Sequence, residues 1–413
     1  MASSVDMFIG LRRIAAALNQ TNYRAFTIGN AVSLIGTWLQ RVAVGWLAWQ
    51  LTKSGTWLGL VAFADLFPTV LFSPIAGALA DRFERLRIVL ITQVVAMLQA
   101  IGLAVLVYLD AMTIERLFVL TAALGVANAL NQPARLALIP SLVERAHLPS
   151  AVAINSIVFN SARFLGPAAA GFTIAHGGIG AAFIVNALTY VAFFVALGMI
   201  RLGPSELAPR RSSILGDTVE GYAYAAKHPG IGPMLLLLTI TSLSTRAFVE
   251  LLPGFADAVF ARGAEGLAWL TAATGLGAMV GGLWMAQRPS TAGLTRLIVG
   301  NLLLIATALI GFVATRHFGV AFCCLLVAGF SLVVNGIGAQ TLVQHAAAPH
   351  MRGRVMATYG MIFRGGPAIG TLAMGTLSSQ IGLQLAVGAG AVLCALSWLW
   401  ARRIRDRMAD ALE

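Results

Sequence analysis

An all-α polytopic membrane fold, with twelve crossings in two pseudo-symmetric six-helix bundles, is what the sequence predicts. Three observations carry this. The 413 residues are 58% hydrophobic and only 11% charged, with a mean hydropathy of +0.83, too few charges for a folded globule in water. The apolar residues come in runs of twenty or more without period-two alternation. Each crossing must satisfy its own backbone in the bilayer, so such runs favour helices over barrel strands. An internal repeat then relates the two halves: Arg163-Phe-Leu-Gly166-Pro167 is answered by Arg364-Gly-Gly366-Pro367, and a shift of about 205 residues brings Arg41 onto Arg246.

Apolar runs between charged or turn-rich breaks place the crossings near 24–51, 56–80, 87–109, 115–138, 149–174, 180–200, 231–253, 265–287, 294–314, 318–343, 353–376 and 383–401. The runs span a hydrocarbon core of about 30 Å at roughly 1.5 Å per residue. The second and third are separated by the charged stretch Gly77 to Arg87, read as a loop. Of the 28 Lys and Arg, twenty fall in or beside the breaks on the side of the N-terminus, four (Lys53, Arg116, Arg262, Arg316) on the other side, and four within crossings. By the positive-inside rule both termini are cytoplasmic. This accounts for the net charge of +12 without nucleic acid, for which no basic stripe interleaved with aromatics is present.

The organisation expected is a cytoplasmic segment 1–23, an N-terminal bundle 24–201, a cytoplasmic linker 202–230, a C-terminal bundle 231–401 and a cytoplasmic tail 402–413. Within the linker, Ile214 to Ala226 has apolar residues at helical spacing and is expected as a surface helix. No cleavable signal peptide is evident in Met1 to Tyr23, which mixes Asp6, Arg12, Arg13 and Gln20 among its apolar residues. Cys323, Cys324 and Cys394 lie inside apolar runs as packing residues. The histidines form no metal-ligand cluster, and no nucleophile constellation or phosphate loop is present, so the chain is expected to be neither an enzyme nor a metalloprotein.

Gly77, Asp81, Arg82 and Arg85 resemble the loop between helices two and three of the major facilitator superfamily, from which Glu84 and Leu86 depart. The fifth crossing, with Arg163, Gly166, Pro167 and Gly171, resembles the superfamily's antiporter motif with three glycines replaced by alanine. Asn128-Ala-Leu-Asn-Gln-Pro-Ala-Arg135, Ala153-Ile-Asn-Ser156 and Arg352-Gly-Arg-Val-Met356 are similar to the enterobactin-exporter branch, which also includes macrolide-type pumps. The resemblance implies export of a small-molecule solute across a bacterial cytoplasmic membrane, powered by the proton gradient with no cofactor. It also implies a cytoplasmic gate in which Asp81 meets Arg352 and Arg354 at the start of the eleventh crossing.

Charged groups inside the membrane cost several kcal/mol unless paired or wet. Asp65 is the foremost candidate for proton coupling, with Arg41 or Arg364 as a partner, and equally for a static ion pair. Glu250, four residues after Arg246 and so on one helical face, is the second candidate. The cavity lining expected in this fold is Asn30, Gln40 and Arg41; Asn128 and Asn131; Ser242, Thr245 and Arg246; and Asn335 and Gln340. So few polar groups among apolar ones suit an amphipathic or lipophilic solute, siderophore or drug-like, better than a sugar; the chain is expected to be a monomer with membrane lipid as its other partner. A lysolipid translocator of the same fold or a non-transporting scaffold are the alternatives.

Overall fold

The computed structural model describes residues 16–202, 214–288 and 290–413; at 73, 74, 77, 78, 80, 81 and 214–219 the description covers backbone alone. The first fifteen residues of the expected N-terminal segment, and 203–213 of the linker, lie outside the described residues.

The described residues are helical, with no strand. In order they are α1 (Thr21–Thr52), α2 (Gly55–Arg82), α3 (Arg85–Tyr108), α4 (Ile114–Leu142), a short 3-10 turn, α5 (Leu148–Gly198), α6 (Ile214–Lys227), α7 (Ile231–Ser244), α8 (Phe248–Gly254), a π-turn (Phe255–Val259), α9 (Gly263–Ala286), α10 (Leu294–Ala314), α11 (Phe318–Ala346), α12 (Arg352–Ile381) and α13 (Leu383–Leu412). Among them ten segments are long and apolar enough to cross a membrane, by length and composition. The difference from twelve has two sources. Leu148–Gly198 runs through Gly178 as one element, although Gly178 has φ 76 and ψ 178, a backbone conformation open to glycine alone. The 30-residue α12 carries Arg352, Arg354 and Arg364 and is not among the ten.

Two sequence expectations are corrected. The stretch Gly77 to Arg87 is not a loop: α2 continues to Arg82 and α3 begins at Arg85, leaving Phe83 and Glu84 between them. A charged residue ends an apolar run without ending its helix, and Arg82 in the last turn suits the negative helix end. The seventh crossing is also not continuous. Residues 245–247 form a turn between α7 and α8, where the Arg246 N–H reaches back to the Thr241 carbonyl at 3.2 Å. The turn lies at or before Ala247, whose backbone is itself helical, and Glu250 stands in α8.

The chain divides into two compact units, 1–44 with 71–210, and 45–70 with 211–413. In the first, α3 packs on both α4 and α5, and Tyr23, Phe26, Leu138, Phe193 and Leu197 form a buried core. The Tyr23 hydroxyl donates to the Ala151 carbonyl at 2.8 Å, so this buried phenol is satisfied.

In the second unit α9 packs on α11, and α10 on both α11 and α13. Phe312 meets Phe255, Phe248 and Phe260 at ring-centre distances of 4.7, 6.4 and 6.1 Å. The expected surface helix is α6, and Glu220 on it pairs with Arg354 at 3.0 Å.

The Glu413 carboxylate caps α10. It accepts the Gly293 N–H at 2.6 Å and the Thr295 N–H at 2.7 Å. Partial burial alone raises its pKa, but the bonds from Thr295 and Gly293 outweigh this and hold the carboxyl below the ordinary glutamate value. With the folded value depressed, the cap stabilises above the unfolded pKa and its contribution is lost as pH falls through the folded one. Glu413→Gln is expected to cost about 0.5–1 kcal/mol at pH 7, with the gap to wild type closing in acid. Melting curves across pH check this, and a gap independent of pH sinks it.

Candidate functional site

In the first unit, polar side chains are spread along α1 at helical spacing and meet α3, α4 and α5. Gln40, 1% exposed, receives the Asn186 amide at 2.8 Å and donates to Gln99 at 2.9 Å, which ties α1 to α3 and α5. Gln93 donates to Ser33 and to the Tyr190 carbonyl, each at 3.4 Å. Asn131 donates to Thr92 at 2.8 Å, between α4 and α3. Asn30, 1% exposed, accepts from Arg135 Nη1 at 3.0 Å, between α1 and α4. Asn128 is half-buried.

Trp38 on α1 collects the charges of this unit's seam. The Arg41 and Arg163 guanidinium carbons lie 5.4 and 5.7 Å from its ring centre, and Phe159 meets it edge-on at 6.1 Å. Cations held against an indole face are partly compensated for lost hydration. Gly166 permits this approach: a Cβ there would lie 3.0 Å from the Ile35 carbonyl and overlap Trp38. Pro167 and Gly171 are buried beside it.

The second unit repeats the contact. A Cβ at Gly366 would come within 2.5 Å of Ser242 Cβ, and one at Gly370 within 2.5 Å of the Leu243 carbonyl, so α12 lies against α7 as α5 lies against α1. Pro367 sits within α12, as Pro167 does within α5. The Arg246 guanidinium stands 4.0 Å from the Phe363 ring centre, and Phe363 stacks on Tyr359 at 5.6 Å. The Tyr359 hydroxyl donates to the Gly336 carbonyl at 2.8 Å. Thr245 is buried and donates to the Thr241 carbonyl at 2.8 Å. Asn335 accepts from Asn301 at 2.9 Å, whereas Gln340 is exposed. Asp65 and Glu250 are half-buried, each with an interaction of its own, and Arg364 is exposed.

The residues expected at the gate are distributed as follows. Arg82 is exposed, and Arg85 donates to the Ala137 carbonyl at 3.1 Å. Arg352 is exposed beside the Arg354–Glu220 pair. At Gly77 and Asp81 the description covers backbone alone.

Two charged residues escaped the sequence reading. Arg135, counted there as a basic residue at a break, lies inside α4. The helix runs through Pro133 before it and continues seven residues beyond it, past Pro140 to Leu142. Its signal was a lone arginine with apolar neighbours on both sides, masked by prolines that read as helix breakers. Asp257 sits in the π-turn and accepts from Trp49 Nε1 at 2.7 Å and Lys53 Nζ at 2.6 Å. These bonds join the hairpin 45–70 to the π-turn that follows α8. Along the same hairpin, a Cβ at Gly59 would lie 2.5 Å from the Thr371 carbonyl, and the Thr56 and Ser379 hydroxyls are 2.7 Å apart.

Known proteins match this architecture. Residues 14–413 match the family described as transmembrane secretion effector. The chain is 26% identical over 383 residues to the MFS-type transporter YfiS of Bacillus subtilis, covering 89% of each chain. It is 24% identical to the staphyloferrin A transporter of Staphylococcus aureus, over 84% of this chain and 87% of that one. To the enterobactin exporter EntS of Escherichia coli it is 26% identical, over 87% and 86%.

Among solved structures, a bacterial homolog of the human lysosomal transporter Spinster superposes with a TM-score of 0.73 at 14% identity, covering 95% of this chain and 98% of that one. The nucleoside transporter NupG gives 0.67 at 15%, covering 93% and 98%. These proteins are transporters rather than enzymes. With its helical fold and a match from residue 14 to residue 413, the chain belongs to the transmembrane secretion effector family of major facilitator transporters.

Proposed function

We propose that the protein is a proton-coupled exporter of an amphipathic or lipophilic small molecule, siderophore or drug-like, in a bacterial cytoplasmic membrane. It works as a monomer among membrane lipid by alternating access, with both termini inside and no cofactor. Its twelve crossings are the ten apolar spans, with α5 counted as two helices on either side of Gly178 and α12 added. The bundles are 24–201 and 231–401, joined by the linker 202–230.

The observation that carries this reading is the set of ionisable side chains kept within the spans of a transporter: Arg41, Asp65, Arg163, Arg246 and Glu250. Such groups are costly in hydrocarbon and mark solute and proton pathways. Asp65 and Glu250 are the groups proposed to load and release protons. Asp81 with Arg352 and Arg354 is proposed to gate the cytoplasmic side, and Arg163, Gly166, Pro167, Arg364, Gly366 and Pro367 to line the seams on which the bundles rock. The relatives' names, a staphyloferrin A transporter and an enterobactin exporter, support a siderophore-like cargo.

The hairpin 45–70 gives the mechanism a defined obstacle. For this end of the protein to open, the Lys53–Asp257 ion pair and the close approach of Gly59 to Gly375 have to part.

Proteoliposomes loaded with radiolabelled enterobactin-type or citrate-type siderophores, macrolide or lysolipid test the reading under an imposed pH difference. Movement of a siderophore or macrolide that stops when the gradient is collapsed is the expected result. Movement of lysolipid alone, or of nothing, overturns it.

A further inference from the structure

We propose that Arg135 is an anion anchor, binding an oxyanion, carboxylate or phosphate, carried by an amphipathic cargo. The inference deepens the transport reading above and rests on it.

Arg135 stands about 10 Å along α4 from its end at Leu142. It lies deep among protein atoms yet keeps accessible surface. A guanidinium does not shed its proton to escape such a position, so its charge persists and has to be compensated. Its only hydrogen-bond acceptor among the described residues is the neutral amide oxygen of Asn30, at 3.0 Å, and its Nε is sealed from solvent without a hydrogen-bond partner.

No carboxylate forms an ion pair with it among the described residues. The described acidic residues of its unit stand at helix ends or turns: Glu84 pairs with Arg87 at 2.6 Å, Glu115 is in the first turn of α4, and Asp110 and Glu144 lie beyond helix ends. Arg41 and Arg163 of this unit rest against Trp38. Arg135 makes no cation–ring contact among the described residues, and the titratable group that interacts with it there is the Tyr190 phenol, which carries no negative charge at neutral pH.

What Arg135 offers is a planar fork with Nη1 held by Asn30 and donors left over, the arrangement that takes a carboxylate or phosphate through paired hydrogen bonds. Asn30, 1% exposed, fixes the guanidinium in place before the anion arrives. Asn131, one turn earlier on α4, is held by Thr92 and adds a neutral polar wall rather than a competing charge.

The full-length protein in detergent is titrated with dansyl-phenylalanine and with its carboxamide, which differ in charge and share one apolar body. Wild type is expected to bind the carboxylate about 10- to 100-fold more tightly than the amide. Arg135→Gln is expected to erase that ratio while leaving amide affinity in place, and Arg135→Lys to keep a reduced ratio, since an ammonium lacks the fork. Displacement of the probe by lysophosphatidylglycerol would identify lipid phosphate as the source of the anion; displacement by citrate would identify a solute carboxylate.

Equal affinities in wild type overturn the proposal whether or not the glutamine variant folds. So does an unchanged ratio in a folded Arg135→Gln protein. Because the readout is equilibrium binding, it stands apart from the flux assay. Loss of gradient-driven movement with a preserved carboxylate preference defeats the coupling mechanism and leaves the anchor intact.

Discussion

Gly277→Leu is expected to be among the most damaging single substitutions in the protein, costing at least about 3 kcal/mol. The backbones of α9 and α11 touch. A Cβ at Gly277 would overlap the Leu326 carbonyl, one at Gly281 would lie 2.8 Å from the Phe330 carbonyl, and one at Gly329 would overlap the Thr274 carbonyl from the opposite side. Between membrane helices the apolar effect contributes little, so close packing of small residues carries the association. The obstruction here is main chain, which has no alternative rotamer. Gly300→Leu on α10 is the control, because a Cβ there meets nothing within 4 Å. In detergent, Gly277→Leu is expected to melt roughly 10 °C lower or to lose its monodisperse elution, with Gly300→Leu near wild type. Matching melting curves for the two would show that the helices do not pack as described.

Asp65→Asn is expected to reduce gradient-driven export to the leak rate while preserving exchange of labelled for unlabelled solute. Asp65 lies about ten residues into α2, roughly 15 Å from its start at Gly55, and is half-buried there. Asparagine keeps the shape and cannot titrate. A carrier that loads its proton on this carboxylate therefore loses its coupling, whereas exchange needs no net proton movement. Retention of driven export would remove Asp65 from coupling, and loss of both modes would assign it to solute binding or to the integrity of the fold.

The helices were legible because hydrophobic run length is set by bilayer thickness, and the repeat because small residues recur where α5 meets α1 and α12 meets α7. Charge was less legible. The stretch Gly77 to Arg87 reads as a loop by polarity, yet α2 runs on to Arg82, since a helix end accommodates charge as readily as a turn does. Arg135 and Asp257 were missed for the converse reason. Each is a single charge among apolar neighbours, and what defines it is a partner 105 or 208 residues away, Asn30 for Arg135 and Trp49 for Asp257. Sequence spacing carries local faces well and distant partners hardly at all. The break at 245–247 was hidden because Thr245 and Arg246 carry no proline or glycine to mark it.

Contacts and the sequence repeat divide this molecule along different lines. The internal repeat cuts the chain at its linker, but residues 45–70 belong by contact with 211–413, fastened there by Lys53, Trp49, Thr56 and Gly59. A fragment starting after the linker would leave the Thr371 carbonyl, Gly375 and Asp257 stripped of their natural cover, and the complementary fragment would carry an orphaned hairpin. The repeat marks two similar pieces, and the hairpin's contacts leave neither of them self-sufficient, so the chain cannot be split at its most obvious joint without cost.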